Sequence, residues 1–167
     1  MAEGLLRHRL AGVADDVLVH SAGLLDLGRP ATPDGVKVMA GHGIDISAHQ
    51  SRQVTAELIK DADLVIGMSR RHVTQTAVLV PDAWTRAFTL KELVRRGDEA
   101  GPRRRGQPLD EWLADVHWGR KRSELVGRSH DDDIADPVGQ PRSAYERTAR
   151  ELDQLLERVV TLIWGKQ

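Results

Sequence analysis

Short apolar runs alternate with helix-start signals through the first two-thirds of this chain, and that alternation constrains its fold more than any other feature. Residues 1–10 read as a helix from the first position, with Leu6, Leu10 and Val13 as an apolar stripe. Val17-Leu18-Val19 is a β-prone run that ends at His20-Ser21-Ala22-Gly23. Thr32-Pro33-Asp34-Gly35 opens a second helix, because Thr can cap, Pro fits the first helical position and Asp favours the positive end. That helix carries Val36 and Met39-Ala40 and stops at Gly41-His42-Gly43. Thr55 caps a helix holding Leu58 and Ile59. Asp63 to Met68 is an apolar run of the kind buried on both faces of a parallel sheet. A helix over about Arg70–Val80, a strand edge at Ala87-Phe88 and a capping box at Thr89-Leu90-Lys91-Glu92 complete the series. Strands separated by helices predict an α/β protein built on a parallel sheet.

The last third breaks the pattern. Arg95 to Pro108 is rich in Gly, Pro and charge, including Arg103-Arg104-Arg105, and reads as a mobile, solvated loop. Leu109, Trp112, Leu113 and Val116 fall at helical spacing and predict an extra amphipathic helix near 109–122. A second polar loop runs from Val126 to Pro141. Ser143-Ala144-Tyr145-Glu146 then reads as a capping box, and Tyr145, Ala149, Leu152, Leu156, Val159 and Ile163 recur every three or four residues. The expectation is one domain over 1–167, with a charged insertion at about 95–133.

Charge and composition narrow the chemistry. The 24 basic and 25 acidic residues give a formal charge of −1, which offers no overall reason to bind nucleic acid or an anionic membrane. No apolar run approaches a membrane span and no signal-peptide layout is present, so a cytoplasmic location is expected. There is no cysteine, which removes thiolate metal sites and any thiol nucleophile from these residues. Asp131-Asp132-Asp133 reads as a solvated acidic loop rather than a hard-cation site. The histidines form no His-x3-His pair and no Gly-x4-Gly-Lys loop occurs, so neither a metal nor another cofactor is expected.

Anionic ligands of α/β proteins usually sit where a strand and loop lead into the first helix, on its free amide N–H groups. Here that position falls before Met1, so the chain is expected to start partway through a fold.

Three segments, in this order, resemble the low-molecular-weight phosphotyrosine protein phosphatases. The first is His20-Ser21-Ala22-Gly23 with Gly28-Arg29-Pro30 and Pro33-Asp34. The second is Gly41-His42-Gly43-Ile44-Asp45 running through Ser47-Ala48-His49-Gln50-Ser51-Arg52-Gln53-Val54-Thr55. The third is Asp136-Pro137 ahead of the long C-terminal helix. Residues 1–7 also resemble the helix that follows the family's phosphate loop. The resemblance implies a small doubly wound fold with a four-stranded parallel sheet, and hydrolysis of phosphate monoesters through a phosphocysteine. It implies no cofactor, and as substrate a phosphorylated protein or small phosphate monoester. In the family the nucleophile lies in a Cys-x5-Arg loop followed by Ser-Pro, whose amides and Arg hold the phosphate and keep the thiol ionised.

Carried onto this sequence, the resemblance makes Asp136 the general acid that protonates the leaving oxygen; Pro137 holds it extended. His49 matches a histidine that fixes the shape of the phosphate loop, and Ser21 lies in the same region as a supporting contact. Arg52 receives no catalytic role. Val138-Gly139 stands where an aromatic residue often lines the substrate cleft, so a preference for flat rings does not carry over. The nucleophile, its loop and the central strand feeding it lie outside these residues, and the loss of that strand is expected to leave a slot of roughly 10 Å in the sheet. A chain translated from an upstream start, with an intact Cys loop, is the leading expectation. The alternative is a non-catalytic binding or scaffold protein that uses the insertion, through Trp112 and Trp118, to contact a partner. The thiol-dependent arsenate reductases of the same fold need more cysteines and fit less well.

Overall fold

The computed structural model describes residues 1–25, 28–125 and 130–165. The chain divides into two compact units, one of Met1–Val54 with Ala135–Val160, the other of Thr55–Ile134 with Thr161–Gln167.

The first unit is helical. Helix α1 spans Ala2–Leu10, α2 spans Pro33–Gly41, and α7 spans Arg142–Trp164, entering the second unit in its last turn. The Thr32 hydroxyl accepts the Gly35 N–H, so the predicted cap of α2 forms. Val38 of α2 packs with Tyr145 and Ala149 of α7, and the stripe of α7 continues through buried Leu152, Leu156 and Val159. Two local expectations change. The buried positions of α1 are Leu5 and Leu10, while Val13 lies past the helix and is exposed, because the chain turns at Ala11–Val13 before the stripe can continue. Ser143 is already inside α7, and Glu146 pairs with Arg142 one turn back at 3.2 Å instead of closing a capping box.

Residues 17–19 are not a strand among the described residues. A strand exists only where a neighbouring backbone answers its N–H and C=O groups. The Val19 carbonyl instead accepts the Arg7 guanidinium, at 2.6 Å from Nη2 and 3.1 Å from Nε. Gly4 explains how α1 approaches its neighbours: a Cβ there would stand 3.0 Å from Ile44 Cγ2 and 3.2 Å from Ile46 Cγ2.

The second unit holds the parallel sheet. Its elements are α3 (Ala56–Lys60), β1 (Val65–Gly67), α4 (Arg70–Leu79), a 3-10 turn over Pro81–Arg86, β2 (Ala87–Thr89), α5 (Leu90–Ala100) and α6 (Leu109–His117). Strands β1 and β2 pair in parallel, Val65 with Ala87 through Gly67 with Thr89. β1 is shorter than its apolar run, and Val65 and Ile66 are only half-buried, whereas β2 is buried throughout. The capping box at Thr89 and Glu92 forms as predicted. Helix α5 continues to Ala100, through residues expected to be loop, because its Leu93 and Gly97 face a core that includes Trp112 and Leu162.

The two charge runs are more structural than their composition implies. Arg103 donates its amide to the Leu162 carbonyl and its Nε to the Ile163 carbonyl, both at 2.8 Å, placing a cation on the carbonyl end of α7. Asp132 is buried against the Arg70 guanidinium, and Asp133 Oδ1 accepts the Arg70 amide at 2.8 Å. Asp133 thus caps α4, whose own Ser69 makes no cap bond. Asp131 is exposed as expected, but Asp132 is not, because buried Arg70 requires a counter-charge. Residues 126–129 of the same predicted loop lie outside the described residues.

Arg120 fastens the segment after α6. Its guanidinium lies 3.7 Å from the Trp84 ring centroid and 4.1 Å from that of Phe88. It donates to both Glu92 carboxylate oxygens, at 2.9 and 3.2 Å, and to the Trp84 and Ala87 carbonyls. Burial pushes its pKa down to about 10 against the pull of Glu92, so it stays charged at neutral pH.

His117 Nδ1 stands 3.1 Å from Arg120 Nη1, and its ring meets Trp84 edge-on. Burial and the neighbouring Arg120 lower its pKa, so the fold favours the neutral imidazole. Below the unfolded value of about 6.5 the unfolded chain therefore binds the extra proton, and stability falls as the pH drops toward the folded value. The urea midpoint is expected to fall between pH 7.5 and 5.5, and His117→Asn is expected to flatten that dependence.

Candidate active site

Two loop segments of the first unit are stitched side by side, and their pairing creates the site. Gly23 bridges Gln53 in parallel fashion, with the Gly23 amide on the Arg52 carbonyl at 2.8 Å and the Val54 amide on the Gly23 carbonyl at 2.9 Å. Pro30 bridges Gln50, and the Ser51 amide donates to the Arg29 carbonyl at 2.9 Å. Arg52 Nε donates to the Ser21 carbonyl at 2.8 Å, which gives Arg52 a structural task and fixes the backbone at Ser21.

Ser21 and His49 are thereby brought to one residue, Glu3, in the first turn of α1. The Ser21 hydroxyl donates to Glu3 Oε2, His49 Nδ1 lies 3.9 Å from the same oxygen, and Arg7 Nη2 pairs with Glu3 Oε1 at 2.7 Å. The Glu3 side chain is 16% exposed, so the carboxylate sits mostly out of water while serving three partners. A carboxylate there also suits the positive end of the helix. The arrangement ties the start of α1 to both loops. The motif reading missed Glu3. A carboxylate in a first helical turn with Arg four residues on was visible, but its pairing with Ser21 spans 18 residues.

Asp136 stands apart from this cluster. It is exposed, its Oδ1 accepts the Val138 amide at 3.0 Å, and it makes no hydrogen bond or ion pair with Glu3, Ser21 or His49. The preceding carbonyl, of Ala135, accepts the Thr148 hydroxyl of α7 at 3.2 Å. Asp136 is thus a carboxylate on a tethered turn, presented to solvent. Val138 is exposed, and Gly139 adopts a φ of +78°, so no aromatic wall follows the Asp-Pro pair.

Residues 1–101 match the sequence profile of the low molecular weight phosphotyrosine protein phosphatases. The chain belongs to that family. A probable low molecular weight protein-tyrosine-phosphatase of Ralstonia solanacearum, EpsP, is 36% identical over 120 residues, covering 71% of this chain and 80% of that protein. Etp, a low molecular weight protein-tyrosine-phosphatase of Escherichia coli K12, is 28% identical over 130 residues, covering 74% and 85%. Among solved structures, the low molecular weight protein tyrosine phosphatase of T. tengcongensis superposes with a TM-score of 0.69 at 27% identity, covering 95% of this chain and 86% of that one. The YwlE arginine phosphatase of Geobacillus stearothermophilus superposes with a TM-score of 0.66 at 26% identity, covering 95% and 79%. The α/β fold is therefore that of the low-molecular-weight phosphatases, and the protein is of the protein-phosphatase hydrolase class by family. No helix among the described residues is long and apolar enough to cross a membrane, and no group of three or more His, Asp or Glu side chains there could hold a metal ion.

Proposed function

We propose that this chain carries the scaffold and proton donor of a phosphate-monoester hydrolase whose phosphoryl acceptor is a cysteine outside the 167 residues. The observation that carries the reading is the convergence of Ser21 and His49 on Glu3, which braces the N-terminal end of α1 where a phosphate-binding loop would lead in. In this reading a Cys-x5-Arg loop before Met1 holds the phosphate on its amides, and its thiolate attacks phosphorus as the ester oxygen departs. Asp136 gives that oxygen its proton, and water then cleaves the phosphocysteine. Ser21 and His49 act on the loop through Glu3 and touch no reacting atom. With Val138-Gly139 after the acid, ring stacking contributes little, so substrate choice rests on the phosphoryl group and leaving-group reactivity. Phosphorylated proteins or small phosphate monoesters are the substrates of this reading.

Hydrolysis of p-nitrophenyl phosphate tests it. The chain as it stands has no nucleophilic thiol and is expected to show no turnover. A chain extended in front of Met1 by a β-strand and a Cys-x5-Arg-Ser-Pro loop is expected to turn over, and its Cys→Ser variant is not. Turnover by the cysteine-free chain, or none by a folded extended chain, refutes the reading.

A further inference from the structure

The first unit carries a second feature that the phosphatase reading leaves unused. A concavity of about 180 Å³ opens between the last turn of α2 and the first turns of α7. That is below the roughly 300–1,000 Å³ of small-molecule pockets, the scale of a compact ion rather than a cofactor. It is lined by Lys37, Val38, Gly41 and His42 from α2 and its C-cap and by Arg142, Glu146 and Arg150 of α7. Arg142, Glu146 and Arg150 are four residues apart, so they form one stripe along α7.

The charge of this concavity is lopsided. Glu146 is engaged by Arg142 at 3.2 Å, so the one carboxylate in the lining is already matched. Lys37 and Arg150 make no hydrogen bond or ion pair among the described residues. The lining therefore holds three fixed cations against one carboxylate, on a chain whose overall charge is −1. A lining with such a surplus of positive charge concentrates anions. An Arg fork and a Lys point charge from opposite walls suit an anion with several oxygens better than a single carboxylate. We propose that this concavity binds a phosphoryl dianion, separately from the Glu3 site.

The test is a titration of the 167-residue chain with inorganic phosphate at constant ionic strength, following the amide resonances of Gly41 and His42. Saturable shifts are expected, with chloride producing none. In Lys37→Glu/Arg150→Glu the binding is expected to weaken at least tenfold, and in Lys37→Ala/Arg150→Ala by several-fold, while Lys60→Glu, on α3, leaves it unchanged. A phosphoserine peptide that perturbs the same amides more tightly than inorganic phosphate identifies a protein-borne phosphoryl group as the source. Equal affinity identifies the free ion, and both results keep the site. Non-saturating shifts, the same shifts with chloride, or undiminished binding in both double variants overturn it. Because the measurement reads binding at α2 in a cysteine-free chain, it stands or falls independently of catalysis by the extended chain.

Discussion

Arg120→Met is expected to lower the unfolding free energy by about 3–5 kcal/mol, the usual result of removing one partner of a buried ion pair. Arg120 has no exposed side-chain surface and Glu92 is 1% exposed, so loss of the guanidinium leaves a buried carboxylate with only its longer contacts. It also removes donors from the Trp84 and Ala87 carbonyls and the cation held between two rings. Arg70 and Arg96 do not replace it, because their guanidinium nitrogens stand 3.9 and 3.5 Å from the Glu92 oxygens. Against a typical domain stability of about 5–15 kcal/mol, the loss is a large share of the whole. Urea unfolding followed by circular dichroism reads it directly. The double variant Glu92→Met/Arg120→Met is expected to recover only part of the loss: it removes the stranded carboxylate, but it also takes Glu92 from Arg70, Arg96 and the Thr89 capping box. Arg120→Lys is expected to behave more like Met than like the native residue, because an ammonium cannot reach both carboxylate oxygens and two carbonyls at once. A loss under about 1 kcal/mol for Arg120→Met means that the charge pair does not hold the post-α6 segment in place.

The second large effect concerns Asp136. In the chain extended with a Cys-x5-Arg loop, Asp136→Asn is expected to slow hydrolysis of phenyl phosphate by about 10²–10⁴-fold, the range for loss of a general acid. p-Nitrophenolate leaves readily without a proton, so p-nitrophenyl phosphate is expected to suffer much less. That split separates proton donation from damage to the fold, which slows both substrates alike. Asp136 is exposed and its side chain bonds only locally among the described residues, to the Val138 amide, so the substitution is expected to leave the unfolding midpoint nearly unchanged. Equal losses for the two substrates remove Asp136 from the proton-transfer step.

Local chemistry was legible in this sequence, and chemistry between distant segments was not. The Thr32 and Thr55 caps and the Thr89–Glu92 box depend on residues three apart, and all form. The box residue Glu92 also receives Arg120 from 28 residues further on, which no window around either position reveals. Val17-Leu18-Val19 has strand composition but no ladder partner among the described residues, since pairing is a property of two segments. Ser143 has the spacing of a cap, yet the helix begins one residue earlier and Arg142 takes Glu146. Asp132 and Asp133 looked like solvated charge because the buried guanidinium and uncapped helix they serve lie more than 60 residues back. The candidate site divides the same way. The order of family motifs singles out Ser21 and His49, whereas their common contact with Glu3 is visible only in the geometry.

Acid-quench trapping of the phosphoenzyme is the most direct measurement of the central claim, that these residues supply the support and the proton while a cysteine elsewhere takes the phosphoryl group. Intact-mass analysis of the extended chain, quenched during turnover of phenyl phosphate, is expected to show one phosphoryl adduct on the loop cysteine. The adduct is expected to be absent from the 167-residue chain. A phosphoryl group on any side chain of the cysteine-free chain, or steady turnover by the extended chain after that cysteine is replaced by serine, contradicts the account.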